Sequence, residues 1–420
     1  MSSKDWITYK LKDLCTKIGS GATPRGGKET YLDKGPYALI RSQNVLDFFF
    51  SYDGLAFIDE SQANQLNNVE IQERDVLLNI TGDSVARVCQ VPNTLLPARV
   101  NQHVSIIRSD NTKLAPEYLK YFLLNPKFKR YLLGLASVGA TRNALTKGMI
   151  EDFDIDLPPL PTQRRIAGIL SALDEKIELN RQTNATLEAM AEAIFKEWFV
   201  DFNFPNATGE MVESELGMIP QGWKVKQLVS LSEKITKGTT PTTLGEKFTE
   251  QGVAFLRVEC IQDDIGIDKA KALFISAETH KKLKRSQLAE NDILVTIAGS
   301  IGRMGLVTKR ILPANINQAI GIIRVAPSLI PVIYAFYYLK QKNVKDELLA
   351  GITQSVQANI SLTDLSNIKI ILPPKELTSQ FDSIAIKIQE TIENLTEESI
   401  VLAALRDTLL PKLMSGEIDL

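Results

Sequence analysis

From Ile166 to Trp198 the chain places Ile166, Ile169, Leu173, Ile177, Asn180, Asn184, Leu187, Ala191, Ile194 and Trp198 at successive steps of 3, 4, 4, 3, 4, 3, 4, 3 and 4 residues. Stepping of this kind lines side chains along one narrow face of an α-helix, the seam of a coiled coil, and the early pair of four-residue steps relaxes the left-handed supercoil locally. Shifted by 215 residues, the pattern returns at Phe381, Ile384, Ile388, Ile392, Leu395, Ser399, Leu402, Arg406 and Leu409. Two helices of about 35 residues would each extend roughly 50 Å, longer than a small domain is wide. The asparagines and Arg406 interrupt the apolar seams. Polar seam residues cost stability but fix register, which suits two helices of one chain pairing antiparallel.

Elsewhere the apolar period shortens. Runs rich in β-branched and aromatic residues, bounded by Gly, Pro, Asn and Asp, predict strands at YALIR from Tyr37, DVLLNI from Asp75 and HVSIIR from His103. They predict them again at VAFLRV from Val253, DILVTI from Asp292 and GIIRV from Gly321. A helix with a proline near its start follows each set, at APEYLKYFLLN from Ala115 and PVIYAFYYLK from Pro331. In EDFDID from Glu151 the alternation puts Phe153 and Ile155 on the buried side of one strand.

These parallels extend to wording. KIGSGATP at Lys17 returns as KITKGTTP at Lys234, ERDVLLNITGDSVARV at Glu73 as ENDILVTIAGSIGRMG at Glu290, PARVNQHVSIIR at Pro97 as PANINQAIGIIR at Pro313, and IDLPP at Ile155 as IILPP at Ile370. An internal repeat dictates the architecture. The predicted fold is mixed α/β, an α+β arrangement of two pseudo-repeated globular domains joined by two long helices forming an antiparallel coiled coil. Its boundaries are expected at 1–157 for the first domain, 158–203 for a central helix, 204–222 for a linker, 223–374 for the second domain and 375–420 for the C-terminal helix.

The repeat also settles the chemistry of GSGATPRGGKET at Gly19. A phosphate loop needs lysine directly after its second glycine and then a hydroxyl residue. Neither register of this stretch provides that, and the second copy lacks both the lysine and the double glycine. Both copies keep a turn of Gly, Thr and Pro.

Composition narrows the rest. A 420-residue chain that is 44% apolar has ample core for two or three domains, and no uninterrupted apolar run reaches the roughly 18 residues of a membrane span. A cytoplasmic, non-membrane protein is expected. Three scattered cysteines and two histidines speak against a disulfide framework, a zinc site or a histidine-based triad. The net charge of -2 hides alternation: residues 1–150 carry 19 Lys and Arg against 14 Asp and Glu, 151–210 carry 5 against 12, 211–374 carry 20 against 15, and 375–420 carry 4 against 9. Two basic blocks separated by acidic ones could set two positive faces on a polyanion.

Four strings carry a family resemblance: LPPLPTQRRIAGILSALDEKIELN from Leu157, NATLEAMAEAIFKEWFVDF from Asn184, ELGMIPQGWKV from Glu215 and the C-terminal LRDTLLPKLMSGEIDL. With them the whole chain resembles the DNA specificity subunit of type I restriction-modification systems. The resemblance implies two target recognition domains, each reading one half of a split, asymmetric site in double-stranded DNA. It implies that the helices act as a spacer and dock two methyltransferase subunits. It implies that this chain binds no cofactor and is no enzyme, with S-adenosylmethionine, ATP and Mg used by the methyltransferase and the restriction/translocase subunits. The second helix departs from the first, with two extra residues before Gln380 if that residue pairs with Gln163. Helices of roughly 50 Å cap the separation of half-site centres at about 15 base pairs.

Readout chemistry favours Arg on guanine and Asn or Gln on adenine. The candidates in turn-rich stretches are Arg25, Arg41, Gln43, Asn44, Arg87, Arg142 and Asn143 in the first block, and Arg257, Arg303, Gln354, Gln357 and Asn359 in the second. Asn101 and Gln102 match Asn317 and Gln318, which points to scaffold or backbone contact more than to sequence code. Lys281 and Lys282 suit phosphate contacts. For the helix–helix or partner interface the candidates are Ile166, Leu173, Ile177, Asn184, Leu187, Phe195, Trp198, Phe199, Ile388, Leu395, Leu402 and Leu409. Phe195, Trp198, Phe199 and Phe202 form an aromatic cluster that either packs on the second block or docks the partner. An autonomous DNA-modifying or DNA-cleaving enzyme is the main rival. It lacks the Pro-Pro-aromatic run of an aminomethyltransferase and clustered carboxylates with a lysine. A structural coiled-coil scaffold is the other, and it leaves two elaborate α/β blocks without a purpose.

Overall fold

A computed structural model describes residues 6–137, 144–262, 266–350, 359–418 and 420. By contacts the chain divides into two units, Met1–Gln182 with Asn394–Leu420, and Thr183–Glu393.

In the first unit β1 (Ile7–Lys10) pairs antiparallel with β9 (Asp154–Leu157), so the block is closed where it begins and ends. Between them lie β2 (Cys15–Ser20), β3 (Tyr37–Ile40), β4 (Ala56–Ile58), β5 (Val76–Asn79), β6 (Val88–Gln90), β7 (Ala98–Val100) and β8 (Val104–Ser109). They form a four-stranded sheet in the order β2-β8-β5-β6 and a three-stranded sheet in the order β4-β3-β7, in which β3 and β7 run parallel. Successive residues of a strand point to opposite faces. Accordingly Leu77 and Ile106 pack with Leu39 and Val100 of the smaller sheet, while Val76, Leu78 and Ile107 face Tyr118, Leu119 and the start of the long helix at Ile166 and Leu170. Burial on both faces explains why Val76, Leu77 and Leu78 are apolar in succession instead of alternating. The helices are α1 (Glu60–Gln65), α2 (Pro116–Leu124), α3 (Pro126–Ser137) and α4 (Lys147–Glu151), before α5 (Leu160–Phe199).

The second unit repeats the plan. A hairpin of β10 (Met211–Ser214) and β11 (Gly217–Pro220) precedes β12 (Lys224–Gln227), which pairs with β22 (Lys369–Leu372) as β1 does with β9. The larger sheet runs β13 (Ser232–Lys237), β21 (Ile320–Val325), β18 (Ile293–Thr296) and β19 (Met304–Leu306); the smaller runs β17 (Leu273–Ile275), β14 (Val253–Leu256) and β20 (Ala314–Ile316), with β14 and β20 parallel. A two-residue ladder joins β15 (Ile261–Gln262) to β16 (Gly266–Ile267). The helices are α6 (Ala277–Lys282), α7 (Val332–Lys340), α8 (Lys342–Ala350), α9 (Leu362–Asn367) and α10 (Lys375–Met414). Each larger sheet carries one buried ion pair at the same place, Arg108 Nη2 to Asp75 at 2.7 Å and Arg324 Nε to Asp292 at 2.7 Å. Both aspartate side chains are fully buried, and each also accepts a backbone N–H, from Gln72 and Ala289 respectively.

Both long helices have 40 residues, and α10 starts 215 residues after α5. This corrects the expected two-residue insertion: Thr378, not Gln380, occupies the place of Gln163. Gln163 is buried and holds Ala115 N–H, the Lys113 carbonyl and the Pro158 carbonyl, a local task that Thr378 does not share. In the first unit the two helices pair antiparallel, Asn180 opposite Leu395 to Ser399 and Asp174 opposite Arg406. In the second, Phe195 meets Phe381 with ring centroids 5.5 Å apart, and Ala191 and Ile388 share one core. Of the expected interface residues, Ile166, Phe195, Phe199 and Ile388 are buried; Leu173, Ile177, Asn184, Leu187, Trp198, Leu395, Leu402 and Leu409 are half-buried. Ile384 leaves the seam at 37% exposure, because the chain turns Ala385 inward instead. The aromatic cluster packs within its own unit: Phe195 and Phe199 lie against Tyr334 at 5.4 and 4.9 Å, and Phe202 against Trp223 at 5.4 Å.

Candidate nucleic-acid interface

The parallel strands β3 and β7 end side by side at Ile40 and Val100, joined by a hydrogen bond from Asn101 N to the Ile40 carbonyl at 3.0 Å. Their loops converge with the one that follows β2. Gly21 makes this possible: a Cβ there would stand 1.9 Å from the Val100 carbonyl oxygen. No side chain fits. The loop therefore presses on the turn after β7, and the Thr23 hydroxyl donates to the Gln102 amide oxygen. Gln102 in turn lies 3.0 Å from His103 Nε2, and His103 Nδ1 lies 2.6 Å from the Thr81 hydroxyl. Asn101 is buried and accepts from His103 N, so it shapes the turn.

Beside this row the Arg41 guanidinium donates to the Gly54 carbonyl and sits 5.4 Å from the Tyr31 ring centroid, while its Nε is buried without a partner. Gln43 is exposed, with its amide on the carbonyls of Asp53 and Gly54 at 3.3 and 3.2 Å. Asn44 is a correction. Fully buried, it holds Arg41 N and the carbonyls of Ser51 and Asp53, which removes it from any surface. Arg25 is exposed, and Arg87 closes the β5–β6 turn with its side chain half-exposed. Arg142 and Asn143 lie outside the described residues.

The second unit rebuilds the same frame. A Cβ on Gly238 would stand 2.2 Å from the Ile316 carbonyl oxygen, the Thr240 hydroxyl donates to the exposed Gln318, and Asn317 caps the turn through Ala319 N at 3.2 Å. Arg257 occupies the place of Arg41, again with a buried, unbonded Nε. Arg303 donates from Nη1 to the Ile261 carbonyl at 3.4 Å. Around this frame the residues differ: Glu259 stands for Gln43, Cys260 for Asn44, Ala319 for His103 and Ala298 for Thr81. Lys281 is exposed, but Lys282 is committed to Glu246 at 2.8 Å and Glu278 at 2.9 Å, and those hydrogen bonds hold its ammonium well above the usual lysine value. That leaves Lys282 less free for phosphate than its type suggested. Asn359 is exposed; Gln354 and Gln357 lie outside the described residues.

Sequence reasoning missed Thr23, Thr81 and His103, and also Arg285, whose guanidinium reaches Thr239 Oγ1 at 3.0 Å. Only His103 carried a signal, as the residue that changes directly after the repeated Asn-Gln. The assembled groups are hydroxyls, amides, guanidinium groups and the His103 imidazole on loop ends, suited to hydrogen-bonding. Among the described residues no group of three or more His, Cys, Asp and Glu could hold a metal ion, and no helix is long and apolar enough to cross a membrane. The cysteines are unpaired, and burial pushes the thiols of Cys15 and Cys89 up to about 12, which makes them poor nucleophiles.

The family model described as "Type I restriction modification DNA specificity domain" matches this chain twice, over residues 3–189 and 220–400. The chain belongs to that family. It is 26% identical to the type I restriction enzyme MjaIX specificity subunit of Methanocaldococcus jannaschii, over 99% of this chain and 94% of that one. It is 25% identical to the HindI specificity subunit of Haemophilus influenzae, over 99% of this chain and all of the other. The crystal structure of the type I restriction-modification S subunit from M. genitalium shares the fold, with a TM-score of 0.53 at 15% identity over 97% of this chain and 96% of that one. As a specificity subunit the chain serves DNA target recognition and is not catalytic.

Proposed function

We propose that the two units read the two halves of a bipartite, asymmetric site in double-stranded DNA, and that α5 and α10 set the gap between the halves and dock two methyltransferase subunits. Methyl transfer from S-adenosylmethionine to adenine, and ATP- and Mg-dependent translocation and cleavage by restriction subunits, then belong to those partners. The observation that carries this reading is the repeated frame. Arg41 and Arg257, Arg87 and Arg303, and the Thr-Gln pairs recur at the loop ends of both units, whereas the residues between them do not. A residue identical in two readers of different sequence cannot carry the difference, so the recurring groups position the backbone and the variable ones specify. Gln102 and Gln318 fit the first role. With the amide oxygen engaged by a threonine hydroxyl, each faces outward with N–H groups, of which Gln102 also sets one against His103 Nε2, and these match phosphate oxygens. The proposed sequence-specifying set is Gln43, His103 and Arg25 in the first unit and Glu259, Arg285 and Asn359 in the second.

Forty helical residues extend about 60 Å, which caps the separation of half-site centres at about 18 base pairs. The test is a methylome of cells carrying this chain with its methyltransferase partner, compared with cells lacking the chain. Methylated adenines in two short motifs separated by a fixed run of unspecified bases are expected; a continuous motif, or none, contradicts the proposal.

A further inference from the structure

The segment from Val45 to Gly54 buries Val45 and Phe50 in the core, yet part of it is absorbed by neither the packing nor the repeated frame. Its tip is a tight turn closed by Leu46 N to the Phe49 carbonyl at 3.2 Å, with Val45 and Phe50 bridged across it. Phe48 adopts φ 73, a left-handed conformation that costs a non-glycine residue about 1–2 kcal/mol. It is held there from several sides: Phe48 N donates to the Val88 carbonyl at 3.0 Å, the Arg406 guanidinium lies 3.4 Å from its ring centroid, and Asp47 accepts from Val88 N and from Lys129. With Phe48 turned inward, the neighbouring Phe49 is left 46% exposed, and Tyr52 is 47% exposed at the edge of Phe50, 5.2 Å away.

The same segment is tied to the candidate reading groups. Arg41 Nη2, Gln43 Nε2 and Asn44 Nδ2 each donate to carbonyls among Ser51, Asp53 and Gly54. All three are among the expected base readers; in this structure the buried Asn44 serves as a clamp alone, while Arg41 and the exposed Gln43 hold the loop and remain at the surface row. The large side chains that the clamped loop presents outward are Phe49 and Tyr52, beside the exposed Asp53.

We propose that this loop is a wedge: Phe49 and Tyr52 stack on nucleobases at an unstacked step within the half-site read by the first unit. The inference rests on the function proposed above. Rings presented on a rigid loop can enter a base step, because the ordering entropy is already spent, and base–aromatic stacking is tolerant of which base it meets. DNA suits this surface better than the methyltransferase does. A surface that docks two copies of one methyltransferase must recur in both units, as the long helices do, whereas a surface that distinguishes the half-sites must not. This one does not recur. Its counterpart begins at β15, where Cys260 replaces Asn44 and the chain has no aromatic residue between Phe255 and Phe274.

The test uses the complex of the full chain with its methyltransferase subunits, and a duplex carrying the methylome-defined motif with 2-aminopurine placed at successive positions. At positions other than the two methylated adenines, which the methyltransferase subunits would themselves unstack, the wild-type complex should raise 2-aminopurine fluorescence at one step of the first half-site and at none in the second. Phe49→Ala and Tyr52→Ala should each abolish that rise and weaken binding about tenfold, Phe49→Trp should keep it, and co-purification with methyltransferase subunits should be unchanged. No fluorescence change with wild-type binding intact, or alanine variants that bind as wild type does, overturns the wedge. Loss of methyltransferase co-purification in the alanine variants before DNA is added overturns it too, by giving the rings to a protein partner. A wild-type complex that does not retain the duplex overturns the underlying function and the wedge together.

Discussion

Asp382 stands in the second turn of α10 with Oδ1 buried and unbonded. Burial pushes its carboxyl up to about 6, against the pull of a Tyr334 backbone group. Between the ordinary value of 3.8 and about 6 the folded chain holds the proton more firmly than the unfolded one, so stability falls as pH rises through that window and the full penalty applies above it. Replacing Asp382 by Asn is expected to stabilise the protein by about 1 kcal/mol at pH 7.5, after allowance for partial solvent exposure, and to do almost nothing at pH 3.5. Denaturant unfolding at the two pH values checks this; an equal gain at both would contradict it. The same scale shows where residue type misled. Asn44 has the chemistry of an adenine reader, but burial assigns it to backbone carbonyls seven and nine residues further on, and no local pattern announces such acceptors.

The long helices illustrate what periodicity can and cannot reveal. Their existence was legible from the 3-4 stepping, antiparallel pairing was the arrangement that the polar interruptions suited, and those interruptions have the tasks such residues usually have. Asn180, only 1% exposed, donates to Glu398 at 2.7 Å, Ser399 at 3.2 Å and the Leu395 carbonyl at 3.3 Å. Arg406 meets Asp174 at 2.9 Å, where Tyr121 and Lys120 converge at 2.6 and 3.1 Å. An analogous cluster joins Glu188 to Tyr337 at 3.0 Å and to Lys340, which also meets Glu192 at 2.9 Å. Lys340 stays above its ordinary value: burial opposes its charge, and the two glutamates outweigh that. These anchors were not legible, because Tyr121 and Tyr337 read as core aromatics until a carboxylate from another element reaches them. Removing the Asp174 charge leaves Lys120 buried without a carboxylate and Arg406 with only the neighbouring Asp407, so Asp174→Ala is expected to cost about 3 kcal/mol. Equilibrium unfolding measures this, and a loss below about 1 kcal/mol would show that the cluster is solvated in practice.

For the molecule as a whole, the repeat was the most legible feature, since five strings recur in order, and it led directly to two sibling units with equivalent loops. Which groups those loops expose depended on contacts between distant segments. The proposed ruler makes a separate demand: deleting seven residues from each long helix shortens both by about 10 Å and should reduce the gap between half-sites by about three base pairs. A methylome with the original gap would refute the ruler while leaving the readers intact. The claim beneath all of this is that each unit reads its own half-site. It is tested most directly by replacing residues 1–157 with the corresponding block of a relative of different specificity and sequencing the methylome with the native methyltransferase partner. One half of the motif should change while the other half and the gap stay as they were; a change in both halves, or in neither, would contradict the account.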